Sequence, residues 1–343
     1  MRRLLVDANA RSRTWALTPE AERRLRDAAP PDWEVRVVQT PTSSDGDGPP
    51  QPSAEVVTGI AEAEVYLGFG MPRPLFLAAR RLRWAHSAAA GVGSALFPEM
   101  LASDVVLTNS AGVHAIPIAE YIVAAVMYFL RGFDIAVAQQ RELLWSKQAF
   151  VDEGSPLGEI SGRRVLVIGA GGIGSEAAER LTALGARCVG VRRHPGRGAP
   201  RGFQRVVGMD AVDAELPSVD VLVLAAPLTA ETRGLVTAER LDLLPSHAIL
   251  INVGRGALVD EQALIQRLAS ARLRGAALDV FETEPLASDS PLWQLRNVLI
   301  TPHVSPVSPG RFWPRELDVF LDNWDRYVRG APLRNVVNKA AGY

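Results

Sequence analysis

The sequence predicts an α/β protein of two domains, the larger of which is a doubly wound parallel sheet. Three observations support this prediction. The chain has 343 residues, which is more than a single hydrophobic core usually serves. Its second half holds short, nearly continuous runs of Val, Ile and Leu, typical of parallel strands that are covered on both faces. Segments with helical patterning separate these runs, as expected for a sheet with helices on its faces.

The composition is that of an ordinary globular protein. Apolar residues make up 48%, charged residues 22% and the net charge is -1, so there is no basic excess to bind nucleic acid or an anionic membrane. Cys188 is the only cysteine. We interpret it as a small buried residue, and since no intrachain disulfide can form, a reducing, cytoplasmic location is favoured. No metal site is predicted.

The most apolar long stretch, residues 116–130, contains Pro117 and Glu120. It is shorter than the roughly 20 residues that span a bilayer. The opening residues carry only a short apolar run, unlike the apolar core of a signal peptide. We therefore predict a helix buried on several sides, and neither a membrane span nor an export signal.

The first part of the chain predicts a small α/β unit. Its strands are predicted at residues 2–8, 34–40, 63–69 and 82–89, with an exposed helix at 19–29. Residues 41–53 are rich in Pro, Gly, Ser and Asp and predict a mobile loop to which no chemistry is assigned. A long helical segment, roughly residues 116–145, then leads to the second series of strands.

The second series predicts the doubly wound sheet. Its strands are predicted at residues 164–170, 187–193, 219–226, 248–254, 275–281 and 298–304. A sheet of this kind binds ligands beyond the carboxyl ends of its strands. The residues that directly follow these strands are therefore the candidates for chemistry.

The first strand of this series ends in a glycine pattern that predicts a dinucleotide site. Gly169, Gly171 and Gly174 have the G-x-G-x-x-G spacing, with Gly172 and Ile173 inside the same turn. The first glycine permits a tight turn, the second lets backbone approach a pyrophosphate, and the third lets a helix lie close on the strand. The helix then offers unsatisfied N–H groups to the phosphates. The order of strand, glycines and helix predicts a Rossmann domain.

The end of the next strand bears on which dinucleotide is bound. Arg192 and Arg193 stand where an acidic residue would accept hydrogen bonds from the adenosine ribose. Arginines cannot accept those bonds, yet their forked donors suit a 2'-phosphate. NADP(H) is therefore favoured. The alternative is NAD(H) bound beside a solvated basic loop, because the basic residues continue beyond Arg193.

Six motifs, in order and spacing, resemble the D-isomer-specific 2-hydroxyacid dehydrogenase family over nearly the whole chain. They are AAGVG (89–93), GAGGIG (169–174), APLTAETRGLV (226–236), INVGRGALVDEQAL (251–264), AALDVFETEPL (276–286) and PLWQLRNVLITPHVS (291–305). Within the family, the arginine loop, which begins with Arg192 and Arg193, is similar to the corresponding loop of glyoxylate/hydroxypyruvate-reductase-like members.

The resemblance implies three catalytic residues. Arg255, between two glycines, binds the carboxylate and carbonyl oxygen of a 2-oxo acid. His303 donates the proton that the reduced ketone oxygen needs, and Glu284 is the carboxylate that orients the imidazole and favours its charged form. Glu282 is the alternative carboxylate, although the family's partner directly precedes a proline, as Glu284 does.

Further contacts follow from the same resemblance. The backbone N–H groups of Ala90 and Gly91 are expected to bind the substrate carboxylate, as uncovered main-chain donors bind anions. Asp279 is expected to contact the nicotinamide carboxamide, and Pro227 and Val253 to line the cofactor groove.

The resemblance also implies a domain arrangement. Residues 1–108 and 307–343 form a flavodoxin-like substrate domain, into which a Rossmann domain of residues 109–306 is inserted. The apolar helix at about 117–130 matches the family's dimerisation arm, so a homodimer is expected. The sequence departs from the family at Ser305, where glycine or alanine is usual, and Trp313 is a candidate to close the substrate pocket.

Two functions are consistent with these residues. The first is an NADP(H)-dependent reductase of small 2-oxo acids. The second is a dinucleotide-sensing, corepressor-like binding protein of the same fold with little turnover. The intact set of Arg255, Glu284 and His303 favours the enzyme. A formate dehydrogenase is disfavoured, because its acid histidine pairs with glutamine where this chain has Glu284.

Overall fold

The computed structural model describes residues 1–8, 10, 12, 14–40, 42 and 51–342. It divides the chain into two compact units, one formed by Met1–His114 with Val307–Tyr343 and the other by Ala115–Pro306. Most of the predicted loop at 41–53, namely residues 41 and 43–50, lies outside the described residues.

The boundary between the units lies at residue 115, later than the predicted domain boundary at 109. The intervening residues are bound to the first unit. Ser110 is fully buried there, and its hydroxyl donates to the carbonyl oxygen of Ser87 at 2.8 Å. Val113 packs in the core of the same unit. These contacts hold the segment in the first unit until the next helix begins.

The first unit is built on a parallel sheet with helices between its strands. The elements up to residue 109 are β1 (Arg2–Asp7), α1 (Pro19–Asp27), β2 (Trp33–Val37), α2 (Ala54–Ile60), β3 (Val65–Gly68), α3 (Arg73–Ala78), β4 (Trp84–Ser87), α4 (Pro98–Leu101) and β5 (Val106–Asn109). Among the described residues the strand order is β2-β1-β3-β4-β5, with every pair parallel. This order confirms the flavodoxin-like fold.

The second unit is the doubly wound sheet. Its elements are α5 (Ala115–Leu130), α6 (Phe133–Arg141), α7 (Gln148–Val151), β6 (Arg164–Ile168), α8 (Gly172–Ala183), β7 (Arg187–Val191), β8 (Arg205–Val207), α9 (Val212–Glu215), β9 (Val221–Leu224), α10 (Ala238–Leu243), β10 (Ile249–Asn252), α11 (Glu261–Ala269), β11 (Gly275–Leu278) and β12 (Val298–Ile300). Residues 115–306 are all described, and their strands form one seven-stranded sheet in the order β12-β11-β10-β9-β6-β7-β8. The direction of winding reverses at β6, as in a Rossmann fold.

The segment predicted as one long helix at 116–145 is broken. Gly132 lies between α5 and α6 with φ 66°, and a Cβ there would lie 2.6 Å from the side chain of Leu157. Glycine relieves both constraints, and the two helices meet at a bend of 67°. Among the described residues no single helix is long and apolar enough to cross a membrane, although α5 and α6 together pass that test by length and composition.

The chain returns to the first unit with α12 (Phe312–Val328), which supplies aromatic residues to the core. The ring of Phe320 stacks on Trp84, whose side chain is completely buried. Trp313 is buried as well, and its indole N–H donates to the carbonyl oxygen of Ala16 at 2.7 Å. The ring of Trp313 is therefore part of the core of the first unit, and its part in closing a substrate pocket stays a prediction.

Candidate active site

The turn after β6 has the shape that a pyrophosphate requires. Gly169 has φ 108°, and a Cβ there would lie 2.6 Å from the backbone of Ala225. A Cβ on Gly174 would lie 2.2 Å from the carbonyl oxygen of Gly169, so this glycine lets α8 lie close to the strand. The Cβ position of Gly171, by contrast, has no atom within 4 Å. Tight packing behind the turn and open space in front of it suit a bound phosphate group.

The first turn of α8 leaves its backbone donors available. The helix begins at Gly172 after the N-cap Gly171, and no side chain caps it within this fully described segment. Helix α11, by contrast, is capped by Asp260, whose carboxylate accepts from Ala263 N. The free N–H groups and the positive end of the helix dipole of α8 favour an anion. Ile173 is half-buried against the core and fixes the helix on the sheet.

The two arginines after β7 have different surroundings. The guanidinium of Arg192 donates to the carbonyl oxygens of Pro195 and Gly198, so it organises its own loop. Arg193 points its Nε and Nη2 at Oε2 of Glu231, at 2.9 and 2.6 Å. Both side chains are therefore engaged within the protein, and Arg193 is paired with a carboxylate that the sequence did not reveal as a partner.

Pro227 and Val253 follow β9 and β10, strands that are neighbours in the sheet. Pro227 is exposed, and its carbonyl oxygen accepts from the Thr232 hydroxyl at 2.7 Å. The side chain of Val253 is buried in the core, and its backbone N–H donates to Leu224 O at 3.1 Å. Of these two residues only Pro227 presents its side chain to solvent, so Val253 is available to a cofactor mainly through its backbone.

The candidate catalytic residues follow three neighbouring strands. Asn252, Leu278 and Ile300 are aligned in register at the carboxyl ends of β10, β11 and β12. Arg255 follows the first of these strands, Glu284 the second and His303 the third. Parallel strands thus bring residues that are distant in sequence to one edge of the sheet.

His303 and Glu284 form a hydrogen-bonded pair. Nδ1 of His303 lies 2.8 Å from Oε2 of Glu284, and both side chains are partly exposed. The other carboxylate oxygen, Oε1, accepts from the backbone N–H of Phe281 at 3.0 Å, which fixes the carboxylate. Because Nδ1 faces an acceptor it carries a proton, and Nε2 is left to exchange a proton with a ligand.

The glycines on either side of Arg255 are required by packing. A Cβ on Gly256 would lie 1.8 Å from the carbonyl carbon of Phe281, so the turn lies directly against the segment that leads to Glu284. The buried Asn252 holds the turn, since its side chain donates to the carbonyl oxygen of Arg255 at 3.0 Å and accepts from Gly254 N at 3.1 Å.

The guanidinium of Arg255 itself remains accessible to a ligand. The residue is exposed, and its Nη1 donates to the carbonyl oxygen of Gly254 at 2.6 Å. This contact uses one of five N–H donors, so the others are available to a carboxylate.

Asp279 has different partners from those that the resemblance implied. Its side chain is completely buried, and its carboxylate accepts from the Thr301 hydroxyl at 2.6 Å and from the backbone amides of Val304 and Ser305 at 2.9 Å each. The contact with a nicotinamide carboxamide that the resemblance implies stays a prediction. Within the described residues, Asp279 shapes the turn that carries His303.

Tyr121 and Thr301 extend this network, and the sequence gave no sign of their role. The hydroxyl of Tyr121, on α5, lies 2.9 Å from that of Thr301, which in turn donates to Asp279. Burial is the main cause that raises the pKa of Tyr121 to about 12, and the nearby charge of Asp279 adds to it. Tyr121 therefore stays protonated and acts as a hydrogen-bond donor at neutral pH. Only the contact itself reveals this relation, since the two residues lie far apart in the chain.

In the first unit, Ala90 and Gly91 lie exposed beyond the carboxyl end of β4. Their loop is held by the end of β5, because Asn109 Nδ2 donates to the carbonyl oxygen of Ala90 at 2.7 Å. The side chain of Asn109 also accepts from Ala111 N at 3.2 Å. The loop therefore presents small residues on a held backbone, as an anion-binding loop requires.

Comparison with known proteins identifies relatives of this arrangement. The family model for the NAD binding domain of D-isomer specific 2-hydroxyacid dehydrogenases matches residues 123–305. A glyoxylate/hydroxypyruvate reductase A from Salmonella newport (strain SL254) is 34% identical over 279 residues, which cover 78% of this chain and 84% of the relative.

Solved structures are similar over the whole chain. A D-isomer specific 2-hydroxyacid dehydrogenase from Xanthobacter autotrophicus Py2, in complex with NADPH and MES, has a TM-score of 0.79, with 30% identity and 100% of both chains covered. An NADPH-dependent glyoxylate/hydroxypyruvate reductase from Sinorhizobium meliloti, in complex with NADP and sulfate, has a TM-score of 0.76, with 28% identity and 100% of both chains covered.

Proposed function

The chain belongs to the D-isomer-specific 2-hydroxyacid dehydrogenase family, and from this premise we propose that it reduces small 2-oxo acids to D-2-hydroxy acids with NADPH. The observation that carries the proposal is the 2.8 Å contact between His303 and Glu284. Glu284 follows β11, which lies next to the strand that bears the Arg255 turn, and His303 follows β12 on the other side of β11. An acid, its carboxylate partner and a guanidinium at one sheet edge are what ketone reduction needs from a protein.

Each residue has a distinct task. The guanidinium of Arg255 binds the carboxylate and keto oxygen of the substrate through its forked donors. Nε2 of His303 gives its proton to the keto oxygen, on which charge grows during reduction. Glu284 orients the imidazole and stabilises the positive charge that it carries before the transfer. Ala90 and Gly91 are proposed to bind the substrate carboxylate through their backbone N–H groups.

The cofactor site fits a dinucleotide. Gly169, Gly171 and Gly174 leave the space for a pyrophosphate, and the uncapped α8 faces it. When bound, the nicotinamide supplies the hydride that reduces the keto carbon. NADPH is favoured because Arg192 and Arg193 replace the acidic ribose acceptor, and two structural relatives were solved with NADPH or NADP. NAD(H) is the alternative cofactor.

The proposed substrates are glyoxylate, hydroxypyruvate and related small 2-oxo acids. This choice rests on the relatives from Salmonella and Sinorhizobium, which are named as glyoxylate/hydroxypyruvate reductases. Nothing observed favours the alternative of a binding protein with little turnover. The single buried cysteine supports a reducing, cytoplasmic location.

We also propose a homodimer, formed by a different surface from the predicted one. Helix α5 packs one apolar face against the core of its own unit, where Ile122, Val126 and Phe129 are buried. The segment after α6 carries exposed apolar side chains, since Leu143 and Trp145 are each 94% exposed and line an open pocket of about 530 Å³. Exposed apolar side chains in this number favour a partner surface, and we propose a second copy as that partner.

The substrate test is a panel of 2-oxo acids with both cofactors. The purified protein is incubated with NADPH or NADH and with glyoxylate, hydroxypyruvate, pyruvate or phenylpyruvate, and cofactor oxidation is followed by absorbance. We expect turnover of the small acids with NADPH as the better donor. Inactivity with every acid and both cofactors would contradict the proposed reductase. His303→Ala is the matched control, and it should abolish whatever activity is found.

A further inference from the structure

An ion pair connects the two loops that flank the glycine turn. In the sheet, β6 lies between β9 and β7, so the segments after β9 and β7 stand on either side of the turn after β6. Arg193 belongs to the segment after β7 and Glu231 to the segment after β9. Their side chains meet through two N–H donors on one carboxylate oxygen, at 2.9 and 2.6 Å. The pair thus joins the loops next to the proposed dinucleotide site.

Glu231 is held in place by an ordered turn. The Thr232 hydroxyl donates to the carbonyl oxygen of Pro227 at 2.7 Å and accepts from Thr229 N at 2.8 Å. The backbone N–H of Arg233 donates to Thr229 O at 3.0 Å. Because these bonds close the turn around it, the carboxylate of Glu231 is presented from a fixed backbone and stays beside the arginine loop.

Arg192 and Arg193 follow β7 directly, and of these two only Arg193 directs its guanidinium to this carboxylate. Arg192 turns toward the carbonyl oxygens of Pro195 and Gly198, and its Nε is buried without a hydrogen-bond partner among the described residues. Arg193 presents Nε and Nη2 together, the same side of the fork that binds phosphate oxygens. Glu231 therefore occupies the donors that a 2'-phosphate would use.

We propose that Glu231 is a specificity-determining residue that competes with the 2'-phosphate of NADPH for Arg193. The inference rests on the proposed function, in which this edge of the sheet binds the adenosine half of the cofactor. A 2'-phosphate carries up to two negative charges and repels a carboxylate that shares its guanidinium. NADH has no such group, so it binds without displacing Glu231. The carboxylate consequently weakens binding of NADPH and leaves binding of NADH unchanged.

The expected effect is moderate, because the pair is accessible to solvent. The side chains of Arg193 and Glu231 are 33% and 63% exposed. Exposed ion pairs contribute little in water, and repulsion of the phosphate by Glu231 adds to the cost of breaking the pair. We expect Glu231 to weaken NADPH binding by about threefold to tenfold. A carboxylate of this kind would also speed release of the oxidised cofactor after each turnover.

The test is equilibrium binding of NADPH and NADH to the full chain without substrate, followed by cofactor fluorescence. Glu231→Gln should lower the dissociation constant of NADPH about threefold to tenfold and leave that of NADH within twofold. Glu179→Gln is the matched control, because Glu179, on α8, forms an exposed ion pair with Arg201. It should change neither constant. In an Arg193→Gln background, Glu231→Gln should lower the dissociation constant of NADPH by less than it does in the unchanged protein, because no ion pair remains to be broken.

The outcomes separate this inference from the proposed function. If the unchanged protein binds NADPH and Glu231→Gln alters the two dissociation constants equally, or weakens NADPH alone, the competition is refuted while the reductase stands. Weaker binding of NADPH would mean that Glu231 orients Arg193 for the phosphate. If the unchanged protein binds neither dinucleotide, the proposed function fails and this inference fails with it.

Discussion

The backbone N–H of His303 donates to the carbonyl oxygen of Asp279 at 2.9 Å, and the carboxylate of Asp279 accepts from the two backbone amides that follow. The same buried residue thus binds three consecutive amides of the turn. His303 has φ 52°, a left-handed conformation that costs a non-glycine residue on the order of 1 kcal/mol. Asp279 offsets this cost and thereby aims the imidazole. It is a positioning residue rather than a catalytic one.

Replacing Asp279 with Asn should reduce turnover more than binding. The amide of Asn has one acceptor oxygen, so its NH₂ would face an amide N–H or the Thr301 hydroxyl, and the turn would shift. We expect kcat to fall about tenfold to a hundredfold, with the KM for NADPH within threefold. Steady-state kinetics on glyoxylate or hydroxypyruvate would measure both. A large rise in the KM for NADPH with unchanged kcat would instead support direct contact with the cofactor.

Glu284→Gln should impair proton transfer without unfolding the site. Glu284 accepts from Phe281 N through one oxygen and faces His303 through the other. Glutamine has a single acceptor oxygen for these two donors, and it cannot offset the positive charge of an imidazolium. We expect kcat to fall about a hundredfold. Glu282→Gln is the matched control, because Glu282 is the neighbouring exposed carboxylate of the same segment. Equal losses in both variants would refute the assignment.

Arg255→Lys should weaken binding of the 2-oxo acid although it keeps the charge. A lysine ammonium cannot reproduce the forked donors of a guanidinium, and hydrogen bonds to charged groups contribute about 1.5 to 3 kcal/mol. We expect kcat/KM to fall on the order of ten- to a hundredfold. Arg272→Lys provides the control, because Arg272 forms an exposed ion pair with Asp242. A variant at Arg255 with unchanged kcat/KM would exclude its proposed role.

The sequence predicted the larger features because they depend on patterns that are local in the chain. To predict the glycine turn and the apolar strands, only the period of burial and the geometry of a parallel sheet are needed. The same holds for the placement of Arg255 and His303 at strand ends. Strands β5 and β8 were not predicted. Each has at most four residues, and β8 begins with Arg205 and has no fully buried residue, so its apolar signal is weak.

What the sequence did not predict depends on contacts between distant residues. Nothing in the sequence indicated that the carboxylate of Asp279 accepts from three donors of the turn around His303. The pairing of Arg193 with Glu231 joins residues 38 positions apart. The residues of α5 that its own core buries, Ile122, Val126 and Phe129 among them, could not be told from the sequence, and its part in a dimer interface stays a prediction. The composition shows that buried charged groups need partners and that apolar surfaces need to be covered. Which residues do this depends on the fold.

The exposed apolar segment after α6 provides a test of the homodimer. Leu143→Asp places a charge on a side chain that is 94% exposed, so the monomer should fold normally. In a dimer the charge would be desolvated, which costs several kcal/mol. We expect light scattering to show a dimer for the unchanged protein and a monomer for the variant. Leu77→Asp, at an exposed position on α3, should remain dimeric. A monomeric unchanged protein at micromolar concentration would refute the proposal.

Asp7, at the end of β1, provides a test of stability rather than of activity. Burial raises the pKa of its carboxyl above the ordinary value of 3.8, although hydrogen bonds from Thr42 and Tyr66 oppose the shift. One oxygen accepts from the hydroxyls of Thr42 and Tyr66, and the other, Oδ1, is buried without a partner among the described residues. With a raised pKa in the folded state, the native protein holds this proton longer than the unfolded chain. Stability is therefore lost as the pH rises through the pKa of the folded state.

Asp7→Asn should consequently stabilise the protein at neutral pH. The amide oxygen can still accept from Tyr66 and Thr42, and no buried charge remains to be desolvated. We expect a higher free energy of unfolding than that of the unchanged protein at pH 7, with a smaller difference near pH 3, where the raised pKa leaves Asp7 protonated in the folded state. Urea unfolding at both pH values would measure this, with Tyr66→Phe as a control that removes a donor and should destabilise. An Asn variant less stable than the unchanged protein at pH 7 would show that the hydrogen bonds to the carboxylate outweigh the cost of burying its charge.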